Sequence, residues 1–370
     1  MMKRNLLKLL EEGVVIGDGS YVVCLEKRGY VTAGTWTPEA VVKYPEAVTQ
    51  LHRDYMRAGA NVLTTFTFYA QDDKLAFQGR SEEPDPQGNG QTIDARTLNL
   101  QACDLARQVA SQGDALVAGG LSPVMCYCVD KGKDNVQKEF KKQLDVFMEK
   151  DVDFVLGEFF GTIQEAEWAV EAMKALGKPV ACTMRIPPIG DENGVLPQEC
   201  AVRMVKAGAD VIGVNCMFDP SICLKTLALM KQGLEEAGLK AHLMAQPVGY
   251  HTQEIENEVR GYLVLPEFPF AMEPRLLTRM DVQQFAREAY KLGVRYLGGC
   301  CGYEPYHIRA IAEELAPERG RDIPGADMSS KWEILKKSVF EEMWERGNAE
   351  YWKKLVPAAG RKIKLLADVK

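Results

Sequence analysis

The stretch Ala-Gly-Ala-Asp-Val-Ile-Gly-Val-Asn-Cys (207–216) contains one repeat of the architecture. Ala-Gly closes a helical pattern, as a glycine C-cap does. Asp210–Asn215 is a short β-branched run, and a chemically active side chain stands where the run ends. The order recurs in Leu-Gly-Val-Arg-Tyr-Leu-Gly-Gly-Cys-Cys-Gly (292–302). Working outward, further strand-like runs lie at Val14–Asp18, Asn61–Phe66, Ala115–Gly120, Asp153–Glu158, Pro179–Met184 and Lys240–Gln246, with Val294–Gly299 last, which makes eight. Amphipathic stretches separate them: Glu39–Ala58, Leu98–Gln112, Asn135–Lys150, Ile163–Leu176, Pro197–Ala207, Ser221–Ala237 and Asp281–Leu292. Glycines follow at 59, 177, 208 and 293. Such alternation predicts a parallel sheet, and eight units predict an α/β fold of the (β/α)8 TIM barrel type. The alternative is an open doubly wound sheet, which carries a phosphate-binding glycine loop; no G-x-G-x-x-G or Walker pattern occurs.

Composition narrows the function classes. A chain of 370 residues with 46% hydrophobic content excludes disorder and suffices for one large core. A net charge of −7 without a basic cluster argues against a nucleic-acid partner. No apolar run approaches the roughly 18–20 residues that span a bilayer. The basic start Met-Met-Lys-Arg turns acidic too soon for a signal peptide, so a cytoplasmic setting is expected. There, ten cysteines read as free thiols or metal ligands rather than disulfides.

Three segments exceed the barrel minimum. Residues 78–91 read as an exposed loop, and 248–275, with its prolines, as an ordered extended loop. From about Arg321 a charged tail carries Trp332, Leu335, Val339, Met343 and Trp344 at helical spacing. It reads either as a helix packed on its own barrel or as an arm that buries tryptophans against another subunit. The expected division is a barrel over 1–320 and an arm over 321–370.

A barrel builds its active site at the C-terminal strand ends. Here those ends offer Asp18, Phe66 to Tyr69, Glu158, Thr183, Asn215-Cys216, Gln246 and Cys300-Cys301. Cys216, Cys300 and Cys301 would meet in one mouth as three ligands of a zinc site with one position open. Three thiolates make zinc a poor source of hydroxide, so the open position suits a substrate thiol, which coordination deprotonates. The other seven cysteines read as small buried hydrophobes, with the Cys126-x-Cys128 pair unassigned. Asp18 and Glu158 read either as caps of the following helices or as a pair holding an amino acid's ammonium. Trp36, Phe68, Tyr69 and Phe159 offer aromatic faces that attract quaternary cations, or simply pack loops. His307 reads as structural.

The motifs Ile-Gly-Asp-Gly (16–19), Gly-Val-Asn-Cys (213–216) and Gly-Gly-Cys-Cys-Gly (298–302) resemble those of the zinc-dependent homocysteine S-methyltransferases. The likeness extends from about residue 10 to 320. It is closest to the betaine-using members through Leu-Glu-Lys-Arg-Gly-Tyr-Val (25–31), Trp-Thr-Pro-Glu-Ala (36–40), Thr-Phe-Thr-Phe-Tyr-Ala (65–70), Leu-Pro-Glu-Phe-Pro-Phe (265–270) and the run from Cys300 to Gly320. The resemblance implies a (β/α)8 barrel and Zn2+ on Cys216, Cys300 and Cys301. It implies homocysteine held by Asp18 and Glu158, betaine held by Trp36 and Tyr69, and methionine and dimethylglycine as products. It also implies a homotetramer or homodimer formed through a C-terminal arm. The chain departs from the family at Phe-Phe-Gly (159–161), where Tyr-Phe-Glu is usual, in Leu121–Asp130, and in a shorter tail. A sulfonium donor such as S-methylmethionine, and a non-catalytic zinc- and homocysteine-binding protein, are the alternatives.

Overall fold

The computed structural model describes residues 5–33, 36–77 and 93–328, with 342–346, 348 and 350–351 of the tail. Its centre is an eight-stranded parallel sheet: β1 Val15–Ile16, β2 Val62–Thr64, β3 Leu116–Leu121, β4 Phe154–Phe160, β5 Val180–Met184, β6 Val211–Asn215, β7 His242–Gln246 and β8 Val294–Leu297. The order is β1-β8-β7-β6-β5-β4-β3-β2, so the eight expected strands are neighbours around a barrel. Side-chain bonding assists closure at the β1/β2 seam. The Asn61 N–H donates to the Ile16 carbonyl (2.6 Å), and the Ile16 N–H donates to Asn61 Oδ1 (3.0 Å).

Inward-facing positions follow the period of two that strands impose. Val15, Val62, Leu116, Ala118, Phe154, Leu156, Ala181, Val211, Met244 and Tyr296 form one buried cluster inside the barrel, joined by Leu6 and Leu10 of the helix Leu6–Glu12. Toward the C-terminal end the inward positions become Thr64, Glu158, Thr183 and, beyond Gly213, Asn215. The barrel is thus apolar in its lower layers and polar at its mouth. A larger cluster packs the outer sheet face against the helices.

The helices match their periodicity with local corrections. The stretch expected as Glu39–Ala58 is two helices, Ala40–Lys43 and Pro45–Ala58. Pro45 lacks an N–H and disfavours helical geometry at Tyr44, so a new helix starts there. Gly59, Gly208 and Gly293 are left-handed C-caps as read, whereas Ala175 caps Ile163–Lys174 and Gly177 lies two residues beyond. Residues 248–275 form an ordered loop with three 3-10 turns. The loop at 78–91 and the residues Trp332, Leu335 and Val339 lie outside the described residues; Met343 and Trp344 are exposed on the short helix Glu342–Arg346.

At Gly213 in β6, a Cβ would stand 1.9 Å from the Met244 carbonyl oxygen, a backbone atom that cannot move without shifting β7. Gly213→Ala is expected to lower the urea-unfolding free energy by about 3 kcal/mol or more, because overpacking against backbone has no rotamer escape. An unchanged midpoint would contradict this packing.

Candidate metal and substrate site

The strand ends converge on a cavity of about 430 Å³ lined by Asp18, Glu158, Cys216, Cys300, Cys301 and a ring of aromatic residues. In a continued strand Cys216 would be out of phase with the inward set 211, 213 and 215 and would face the helices. Left-handed backbone at Cys216 (φ 59°) and Met217 (φ 60°) redirects it. The Cys216 N–H is tied to the Gln246 carbonyl (2.8 Å), and the Cys300 N–H to the Pro247 carbonyl (2.9 Å). All three Sγ atoms lie within 4.8 Å of one another, and Cys216 and Cys301 are 3.7 Å apart. Sulfurs at about 2.3 Å from a tetrahedral zinc stand about 3.8 Å apart, so the cluster is compatible with one ion. None of the three is in a disulfide.

The electrostatics point the same way. Hydrogen bonds from Cys216, Cys300 and Tyr262 hold the Cys301 thiol well below its ordinary value. Burial raises Cys216, and hydrogen bonding to Cys216 and Cys301 raises Cys300. Of the three thiols only Cys301 is thus eased toward the thiolate, and ionising all three calls for a cation. Tyr262 belongs to the 248–275 loop, whose sequence gives no sign that a hydroxyl there reaches the thiols.

Asp18 and Glu158 share the mouth, and neither caps a helix; Ser20 and Thr162 do that. Asp18 is buried and accepts from the Thr64 N–H (2.6 Å), Thr64 Oγ1 (3.0 Å) and the Tyr21 hydroxyl (2.8 Å). It therefore also stitches β1 to β2. Burial pushes its carboxyl up to about 6 against the pull of those bonds. Glu158 has no side-chain hydrogen-bond partner among the described residues. Burial first, then the charges of Asp18 and Cys301, push its carboxyl up to about 8. A carboxyl in that state is set to receive a cationic partner.

The aromatic residues are held in strained backbone. Trp36 (φ 48°), Tyr69 (φ 61°) and Phe159 (φ 75°) are all left-handed, and such strain collects at functional sites. Trp36 Nε1 donates to Glu26 (2.8 Å). The Tyr69 N–H donates to Ser122 Oγ (3.0 Å), and Lys74 Nζ lies 3.9 Å from the centre of its ring. Asn215 Oδ1 accepts from the Phe159 N–H and from Thr183 Oγ1, both at 2.9 Å, which pins the Phe159 turn. Phe68 meets Phe159 edge-on at 5.4 Å. His307 is structural: Nδ1 accepts from the Glu304 N–H and Nε2 lies 2.9 Å from the Leu277 carbonyl. Cys126 and Cys128 stand outside the cavity lining.

A family model described as homocysteine S-methyltransferase matches residues 15–315. The chain is 55% identical over 364 residues to betaine–homocysteine S-methyltransferase 1 of Danio rerio, covering 98% of this chain and 88% of that protein. It is 56% identical over 362 residues to the Mus musculus protein of that name, covering 97% and 86%. It is 52% identical over 362 residues to an S-methylmethionine–homocysteine S-methyltransferase of Pongo abelii, covering 97% and 94%. Among solved structures, the metallated form of the homocysteine methyltransferase MmuM from Escherichia coli superposes with a TM-score of 0.62 at 18% identity, over 83% of this chain and 98% of that one, a likeness of fold.

The Glu158 carboxyl moves from an ordinary value of 4.5 to about 8 on folding, so the folded chain holds its proton more tightly. Its contribution to stability is full below the ordinary value and is lost as pH rises through the folded one. In the metal-free protein without substrate, Glu158→Gln is expected to raise the melting temperature by several degrees at about pH 8.5, with the gain shrinking toward about pH 5. Calorimetric scans across that range read it; a gain independent of pH would contradict the charge argument.

Proposed function

The chain belongs to the homocysteine S-methyltransferase family, and from that premise we propose that it moves a methyl group from glycine betaine to the sulfur of homocysteine at a zinc ion held by Cys216, Cys300 and Cys301. The products are methionine and dimethylglycine. The observation that carries the reaction is the 55% identity to a betaine-using enzyme over 98% of the chain. Supporting the site assignment, three thiols, two carboxyls and several aromatic faces line one cavity.

Zinc bound there supplies a substrate thiol already deprotonated at neutral pH. The chain's residues do the rest. Asp18 and Glu158 hold the homocysteine ammonium, which returns Glu158 to its charged form. Trp36 and Tyr69 present ring faces to the trimethylammonium group, an attraction worth up to about 2 kcal/mol each when desolvated. Fixing sulfur and methyl carbon in line removes most of the entropy of the encounter. A carbon–sulfur bond forms, the carbon–nitrogen bond breaks, and its electron pair stays on nitrogen, leaving neutral methionine sulfur and a tertiary amine. The donor's positive charge disappears in the step, so a looser cage on the product side favours turnover.

A sulfonium donor is the second reading. The S-methylmethionine-using relative at 52% identity favours it, as does the missing hydroxyl at Phe159. The same proposal places a subunit-association arm beyond residue 320, supported by a family match that stops at 315 and by the exposure of Met343 and Trp344. No helix among the described residues is long and apolar enough to cross a membrane, and all ten cysteines are free.

Cys216→Ala is expected to abolish zinc retention and methionine formation together, by metal analysis and product assay; full activity without metal would sink the proposal. Trp36→Ala is expected to raise KM for betaine about ten-fold or more while leaving that for homocysteine nearly unchanged, from the loss of one desolvated cation–π contact. The reverse pattern would reassign Trp36.

A further inference from the structure

Glycine betaine is a zwitterion, and the aromatic faces and carboxyls assigned so far account only for positive charge. Its carboxylate enters a mouth lined by Asp18, Glu26, Glu158 and Glu273, so it needs a cation. The lining contains two, Lys27 and Arg185. Lys27 is paired with Glu273 at 3.0 Å, at the exposed edge. Arg185, directly after β5, is more enclosed, with 19% of its side chain accessible. Its guanidinium carbon lies 5.0 Å from the centre of the Phe159 ring. Among the described residues its side chain makes one hydrogen bond, from Nη2 to Glu192, and its Nε is buried without a partner. Of five N–H donors in a rigid fork, four are uncommitted.

The room for this side chain comes from Gly161. A Cβ there would stand 2.6 Å from both Arg185 Nη2 and Glu192 Oε1. The two loops are stitched by the Arg185 N–H to the Phe160 carbonyl (2.9 Å) and the Glu192 N–H to the Gly161 carbonyl (3.1 Å). Where the resemblance leads one to expect a glutamate at 161, this chain places an arginine and a glutamate, both from the segment after β5. The packing of Arg185 on Phe159, one of the aromatic residues lining the cavity, puts the guanidinium on the aromatic wall.

We propose that Arg185 receives the carboxylate of the methyl donor, as a positioning and specificity residue that selects onium compounds carrying a carboxylate close to the transferable methyl. A guanidinium suits this role because it binds a carboxylate through two parallel donors, and a cation beside the cage repels an onium group lacking a compensating anion. The inference rests on the methyl-transfer reading above.

The test uses zinc-loaded full-length protein and a matched donor pair, dimethylsulfonioacetate and trimethylsulfonium, beside glycine betaine. Arg185→Gln is expected to raise KM for betaine and dimethylsulfonioacetate about ten- to hundred-fold, the range for one lost charge-assisted hydrogen bond. KM for homocysteine should stay within about two-fold, and trimethylsulfonium should be used at least as well as by the parent. Arg185→Lys, which keeps the charge but not the fork, should fall between, and it supplies the reading if the glutamine variant fails to fold. Glu192→Gln frees the guanidinium and should leave betaine KM unchanged or lower. Unchanged betaine KM in Arg185→Gln overturns the proposal, and so does a rise in homocysteine KM instead, which would give Arg185 the amino acid's carboxylate. A parallel loss in Glu192→Gln overturns it too, because the ion pair would then be only a brace. A parent that makes no methionine from betaine refutes the proposed reaction, while the sulfonium pair still reads Arg185.

Discussion

The barrel mouth is organised around buried negative charge that has too few positive partners. Asp18, Glu158 and three thiols line one cavity, and burial raises the carboxyls to about 6 and about 8. Burial favours the protonated carboxyls, and of the three thiols only Cys301 is held below its ordinary value. Each cation the proposed reaction brings, a metal ion and an amino acid's ammonium, allows another of these groups to ionise. The site is therefore poised to bind rather than self-satisfied, and the surrounding barrel bears the stability cost.

That cost appears in the backbone as well. Five non-glycine residues at the mouth, Trp36, Tyr69, Phe159, Cys216 and Met217, adopt left-handed geometry. Such conformations persist only where neighbours over-determine them. Asn215 does this for Phe159 by accepting its N–H, and the Gln246 carbonyl does it for Cys216. At Phe159 in β4 and Cys216 after β6 the turn breaks the in-and-out alternation of the strand, which brings a side chain destined for the helix layer round to the cavity. Asp18 combines both tasks: its carboxyl bonds Thr64 across the β1/β2 seam, and the residue lines the cavity.

Much of this was legible in the sequence. The eight strands were visible because buried parallel strands read as short apolar runs between longer amphipathic ones, and each of the eight forms within a few residues of its expected span. Cys216, Cys300, Cys301, Asp18 and Glu158 were visible because a polar or thiol side chain directly after an apolar run stands out. Thr64, Tyr21 and Tyr262 were not. Threonine and tyrosine are ordinary in strands and loops, and their importance lies in what they touch. The break at Pro45 followed from a local rule that the long amphipathic pattern had obscured.

Gly161 shows where the two levels divide. Read alone, Phe-Phe-Gly marks a lost carboxylate; in the fold, the space is filled by Arg185 and Glu192 from another strand's loop. The sequence by itself determined the strand count, the barrel and the residue types at the mouth, because periodicity and glycine caps are properties of neighbouring residues. Only the tertiary structure decided which thiols lie within one ion's reach, which carboxyl is left without a partner and which cation stands by the aromatic faces. Those depend on distances between residues far apart in the chain, set by the closure of the barrel and the left-handed turns at its rim.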